Sequence, residues 1–277
     1  MPVALQQVAV MSDTLQWLHL AAVAGGAMVL QLGLWLIQVR RRDASLVDAG
    51  WSGGIGCAAV MLALLGDGDP SRRLVLGGLG AAWSLRLTIY LVRDRLLGKP
   101  EDGRYRLLRQ QWGTQANRNF LIFFQVQAFF IVAFSWPFWL MAADRAPFGA
   151  WHDWVGLAVW LVGFIGVAIA DAQLARWRQA TVNAGRTCRA GLWQVSRHPN
   201  YFFEWVLWCG YPLIAISAPW SVAAWGTPAF LLYLLLFVTG IPYNEKRNLE
   251  SRGDDYRQYQ RVTSAFIPWF PKSEATS

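Results

Sequence analysis

The sequence predicts an all-α fold, a polytopic bundle of membrane helices, and two observations carry that expectation. The first is charge. Hydrophobic residues make up 55% of the chain and charged residues 15%, against roughly a quarter charged in soluble domains. The second is the number of apolar runs of about 20 residues, the length that crosses a bilayer as helix. A third observation agrees with both: the 277 residues include 17 Trp, a side chain enriched where membrane meets water.

Seven spans are expected, at residues 15–38, 48–66, 74–96, 119–142, 153–175, 200–217 and 220–242. The first reads as an anchor and not a cleavable signal, because no basic region precedes it and Arg40, Arg41 and Arg42 follow it. With the N-terminus outside, 21 of the 25 basic residues fall in segments on the inner side and three, Arg72, Arg73 and Arg145, on the outer. That asymmetry sets the expected topology, with the C-terminus cytoplasmic. The chain has no internal repeat, so residues 1–277 are expected to form a single domain, its cofactor half running over about 153–272. Cys57, Cys188 and Cys209 have neither metal-ligand spacing nor an even disulfide framework. No Gly-rich dinucleotide or phosphate-loop fingerprint occurs, and no metal or nucleic-acid partner is expected.

Ionisable groups at membrane depth are costly and mark function by default. Asp48 opens the second span, Arg86 lies in the third and Glu204 in the sixth. Asn200 and Glu204 stand four residues apart, as do Arg86 and Tyr90, so each pair shares one helical face. The inner loops from Arg93 to Arg109 and from Asp171 to Arg189 are rich in arginine. Attraction to anionic headgroups explains part of this. It leaves Glu101, Asp102 and Asp171 without a purpose. Guanidinium forks for phosphates beside acceptors for hydroxyls would suit a soluble dinucleotide.

The segment from Gly163 to Tyr211 carries Asp171, Arg178, Arg186, Gly191-Leu192-Trp193, Asn200 and Glu204 in one gapless register. It resembles the C-terminal half of the steroid 5-alpha-reductase family, in particular its bacterial membrane branch. The loop Gly98-Lys99-Pro100-Glu101-Asp102-Gly103-Arg104-Tyr105 and the ending Phe266-Ile267-Pro268-Trp269-Phe270-Pro271 are similar to the same branch. The resemblance implies a bundle in a bacterial cell membrane that takes NADPH from the cytoplasm and a lipophilic, steroid-like enone from the lipid. It implies cofactor contacts from Arg86, Tyr90, Lys99, Arg104, Asp171, Arg178, Arg186, Asn200, Tyr243 and Arg247. It assigns the chemistry to Asp48, the counterpart of an acid that serves the substrate carbonyl, and to Glu204, which orients the nicotinamide amide or frames the pocket. A neutral Asp48 carboxyl would be able to donate a hydrogen bond. Where the family has a tyrosine in the third span, this chain has Trp83, whose indole donates a hydrogen bond but no catalytic proton. Trp51, Trp205 and Trp208 are expected to wall the substrate pocket.

Two other readings stay open. Arg197-His198-Pro199-Asn200-Tyr201 with a Glu-containing tail also occurs in membrane methyltransferases of the isoprenylcysteine carboxyl methyltransferase type, which bind S-adenosylmethionine. A lipid-binding scaffold without catalysis is the third, kept open by Trp83.

Overall fold

The computed structural model describes residues 3–272, and side chains from residue 14 onward. Among the described residues there are helices and no strands. They run α1 (Val3–Arg41), α2 (Leu46–Leu65), α3 (Pro70–Leu91), α4 (Gly103–Trp112), α5 (Ala116–Phe134), α6 (Trp136–Ala143), α7 (Trp151–Gln179), α8 (Leu192–Val195), α9 (Pro199–Ile214), α10 (Gly226–Tyr233), α11 (Ile241–Arg252) and α12 (Asp254–Val262).

Among the described residues, six stretches are long and apolar enough to cross a membrane: Thr14–Arg41, Leu46–Leu65, Pro70–Leu96, Gly103–Ala143, Trp151–Gln179 and Ser221–Arg252. The chain reads as an integral membrane protein on that basis. The span expected over 200–217 is not among them. The segment expected over 200–217 forms α9, 16 residues with Pro212 inside it, and at 1.5 Å per residue it reaches only about 24 Å. Proline removes one backbone donor and crowds the preceding turn, and α9 ends two residues beyond it.

The helices group into two compact units, Met1–Phe148 with Ser217–Ser221, and Gly149–Ile216 with Val222–Ser277. In the first, α2 and α3 meet through small side chains. A methyl at Gly56 would fall 2.2 Å from the Ser84 hydroxyl, and one at Gly80 would fall 2.3 Å from Ala59. The close approach lets hydroxyls pair across it: Ser84 donates to the Ser52 carbonyl (2.8 Å), and the Ser52 and Thr88 hydroxyls lie 2.8 Å apart. Small residues serve membrane helices this way because lipid offers no hydrophobic drive to pack, so backbone proximity and hydrogen bonds must supply it.

At the other end of this unit, Arg72 is fully buried and ion-paired to Asp144 at 3.3 Å. Its guanidinium also donates to the Ala146 and Pro147 carbonyls. A buried cation persists only when its donors are met like this.

The second unit is organised by α7 against α9. A Cβ at Gly163 would come 2.4 Å from the Leu207 nitrogen, and one at Gly156 2.8 Å from the Gly210 carbonyl. Gly166 lies under the ring of Phe203, where a Cβ would come within 2.3 Å. Glycines at 156, 163 and 166 therefore allow backbone-to-backbone contact along one stripe of α7. That contact sets the register of the polar residues on both helices.

Candidate functional site

In the first unit, the loop after α3 is sewn to the turn between α1 and α2. Asp48, in the first turn of α2, sits at the centre. Its Oδ1 accepts from the Tyr105 hydroxyl at 2.7 Å, and its Oδ2 from Arg95 Nη1 at 2.6 Å and Arg104 Nη2 at 2.8 Å. Asp102 caps α4 by accepting from the Arg104 nitrogen at 2.9 Å and takes the Arg104 Nε at 3.1 Å. Its own nitrogen donates to Ser45 Oγ at 2.8 Å. Burial alone would raise the Asp102 carboxyl, but the hydrogen bonds and charge of Arg104, with Arg95 beyond, hold it below the ordinary carboxylate range. Glu101 accepts from the Ala44 nitrogen at 2.8 Å and from Arg109 at 2.7 Å.

This arrangement changes two expectations. Asp48 was expected as a hydrogen-bond donor, yet both of its oxygens accept, and two of the three donors are guanidinium groups. Arg104 was expected to reach a phosphate, yet its Nε and Nη2 are engaged by Asp48 and Asp102. The physical reason is that a carboxylate at a helix start, with arginines in reach, is stabilised as an acceptor. Lys99, by contrast, is exposed on the same loop.

Trp83 is completely buried. Its ring meets Trp51 edge-on at 6.0 Å, and Trp51 in turn meets Phe134 at 5.4 Å. Trp83 is part of the packed interior of this unit. Arg86 and Tyr90 follow it one and two turns along α3, both half-buried.

In the second unit, Asn200 Nδ2 donates to Asp171 Oδ1 at 3.3 Å. One turn along α9, Glu204 Oε1 accepts from Trp208 Nε1 at 3.2 Å. Trp208 is buried, and Trp205 is half-buried against Phe202 and Phe266. The register follows from the glycine stripe, since Asp171 lies one position beyond Ala170, whose carbonyl receives the Trp193 indole at 2.9 Å.

The arginines gather at the same end. Arg178 and Arg186 are exposed. Burial raises the Cys188 thiol, an effect reduced by the nearby charges of Arg178 and Arg252. Arg252 Nε donates to the Arg186 carbonyl at 3.1 Å. Thr187 and Arg189 both bond to Asp255, at 2.7 and 3.1 Å, so the C-terminal helices close over the 181–189 loop. Tyr243 and Arg247 are exposed on α11.

A second cluster in this unit escaped the sequence reading. Glu245 accepts from Arg197 Nε at 2.6 Å and from Gln260 at 2.9 Å, with His198 Nε2 at 3.4 Å. Arg197 also donates to the carbonyls of Gln260 and Thr263 at 3.1 and 2.6 Å. Arg197 and Glu245 are 48 positions apart, and Tyr105 and Asp48 57. No helical or strand period links positions so distant.

A family model described as "Protein of unknown function (DUF1295)" matches residues 34–263. An uncharacterized protein of Schizosaccharomyces pombe is 29% identical over 263 residues, covering 85% of this chain and 75% of that protein. The 3-oxo-5-alpha-steroid 4-dehydrogenase 1 of Bos taurus is 28% identical over 112 residues, 40% of this chain and 41% of the relative. The human protein of the same name is 26% identical over 122 residues, 42% of this chain and 44% of the relative. The match thus spans less than half the length of these steroid dehydrogenases. No solved structure matches the chain.

Proposed function

The chain belongs to the DUF1295 family, and from that premise we propose that it is an NADPH-dependent reductase of a carbon–carbon double bond conjugated to a carbonyl. Its substrate is a lipophilic enone, steroid-like in shape, taken from the membrane. The observation that carries the reading is the cationic end of the second unit. There the exposed Arg178 and Arg186 lie at the same end as the paired Asp171 and Asn200. Partial similarity to proteins named as steroid dehydrogenases supports it.

The donor set fits a dinucleotide phosphate. Guanidinium groups without a carboxylate partner suit phosphate oxygens, and an amide beside a carboxylate suits ribose hydroxyls. Arg178 and Arg186 would hold the phosphates, with Tyr243 and Arg247 as further exposed polar groups of the same unit. Asp171 and Asn200 would hold the sugar, and Glu204, fixed by Trp208, would orient the amide of the ring. Arg86 and Tyr90 share a polar face within the first unit. When bound, the reduced nicotinamide supplies a hydride to the carbon β to the carbonyl. The chain's own work is to hold the acceptor still, keep water out with Trp205 and Trp208, and present fixed donors where negative charge develops on the carbonyl oxygen. Asp48 serves as a positioning residue: it orders Tyr105, Arg95 and Arg104, and with them the 97–105 loop. Trp83 belongs to the packed interior of the first unit.

Thermal unfolding of the purified protein in detergent tests this. A ligand that binds only the native state stabilises it by RT ln(1 + [L]/Kd), about 2.7 kcal/mol at a hundredfold excess over Kd. Stabilisation by NADPH and none by S-adenosylmethionine is the expected result. The opposite pattern would select the methyltransferase reading, and no response to either would leave the scaffold. With NADPH bound, a steroid enone should be reduced as the cofactor is consumed, and Glu204→Gln should slow that turnover at least tenfold.

A further inference from the structure

We propose that the C-terminal segment 262–272 is a built site for an anionic phospholipid. Its backbone is pinned to the second unit. The Phe266 carbonyl accepts from Ser196 Oγ at 2.8 Å, and the Ser264 carbonyl from the Arg197 nitrogen at 2.8 Å. The Trp269 nitrogen donates to the Val195 carbonyl and the Lys272 nitrogen to the Val262 carbonyl, both at 2.9 Å. Pro268 and Pro271 stiffen the chain between these points. Phe266 turns inward, buried against Phe202 and Trp205. Its neighbours do the opposite: Ile267, Trp269 and Phe270 are 60%, 69% and 82% exposed.

A fixed backbone that turns three large apolar side chains outward, beyond the last helix, needs an apolar medium to receive them. The charges beside them say which one. Trp269 and Phe270 border a cleft of about 370 Å³ that is also lined by Arg197, Arg261, Thr263 and Lys272. The Arg197 guanidinium is occupied by Glu245 and two carbonyls. Among the described residues, neither Arg261 nor Lys272 has a side-chain hydrogen bond or ion pair, so the cleft carries cations without counter-charge.

The location agrees. The segment packs on Val195 and Ser196, just before α9 begins and at the end of the unit where Arg176, Arg178, Arg186 and Arg189 gather. Tryptophan favours the headgroup level, and unpaired basic residues there attract anionic lipid. The phosphate of an anionic phospholipid therefore occupies the cleft, with Ile267, Trp269 and Phe270 among its upper acyl carbons. A soluble anion would leave those three side chains in water. Because the backbone is already ordered, binding costs little chain entropy.

The test uses the full chain in nanodiscs of phosphatidylcholine with and without phosphatidylglycerol. Phe270 is replaced by the photocrosslinker p-benzoylphenylalanine, and retained lipid is measured by native mass spectrometry. The expected result is a lipid adduct at position 270 and preferential retention of phosphatidylglycerol. That preference should fall about fivefold for each charge removed in Arg261→Gln and Lys272→Gln, the equivalent of about 1 kcal/mol per cation at an anionic surface. Unchanged thermal unfolding will show that these variants fold.

A crosslink only to a second copy of the chain would overturn the proposal. So would an undiminished lipid preference in the double variant, or displacement of the lipid by added inorganic phosphate. The site does not depend on NADPH, so its failure and failure of the reductase reading would be seen separately.

Discussion

Asp48 shows most clearly how a residue's surroundings decide its chemistry. Read alone, a carboxyl near the start of a membrane span is a candidate acid. In the structure it is the acceptor for one phenol and two guanidinium groups. Asp48→Asn should therefore destabilise the protein by about 1–3 kcal/mol, because it removes the charge that two arginines share and leaves them Asp102 alone. The loss should appear as faster hydrogen exchange in residues 95–105, with NADPH affinity changed less than the stability of the loop. An unaltered exchange pattern would remove Asp48 from the positioning role. His198 gives a prediction in pH. Burial holds its imidazole below the ordinary value of 6.5, against the opposing pull of Glu245. A depressed folded value means that the unfolded chain binds the proton more readily. The contribution is fully present above about pH 6.5 and is lost as pH falls through the lower folded value. Thermal midpoints measured from pH 8 down to 5 should fall, and His198→Gln should flatten that dependence.

At the level of elements, the contact between α7 and α9 positions Asp171, Asn200 and Glu204 in the second unit. It rests on glycine. At Gly163 an added Cβ would lie 2.4 Å from a backbone nitrogen and 2.6 Å from the Leu207 Cα, and neither atom can swing aside as a side-chain end would. Gly163→Ala should cost about 1–3 kcal/mol, the range for overpacking a filled interior. It should also weaken NADPH binding, because Asp171 and Asn200 meet across this same contact. Gly78, where nothing lies within 4 Å, is the control, and Gly78→Ala should leave both measurements unchanged. α9 itself illustrates a limit of hydropathy. Residues 200–217 are apolar enough to read as a span, but α9 is 16 residues long with Pro212 inside it and tightens into a 3-10 turn over Ala215–Ser217.

For the whole molecule, the cofactor reading predicts where protection will appear. NADPH should slow hydrogen exchange in residues 171–204 and 243–252, and Arg178→Gln or Arg186→Gln should each reduce its affinity about tenfold, the usual worth of a charge-assisted hydrogen bond. Affinities unchanged in both variants would place the phosphates elsewhere. Much of this molecule could be read from its sequence. Sparse charge and long apolar runs determined the all-α membrane class, because backbone groups in lipid must be satisfied within each segment. The clustering of arginines in alternate loops was equally legible. So was the placing of Asn200 and Glu204 on one face, since helical period alone puts them there. Tertiary structure decided the rest. It joined Tyr105, Arg95 and Arg104 to Asp48, and Arg197 to Glu245, across 47 to 57 positions. It buried Trp83 and turned Trp269 and Phe270 outward. Local spacing governs what a helix presents on its own face, whereas a charge finds its partner, and an aromatic ring its medium, only when separate helices meet.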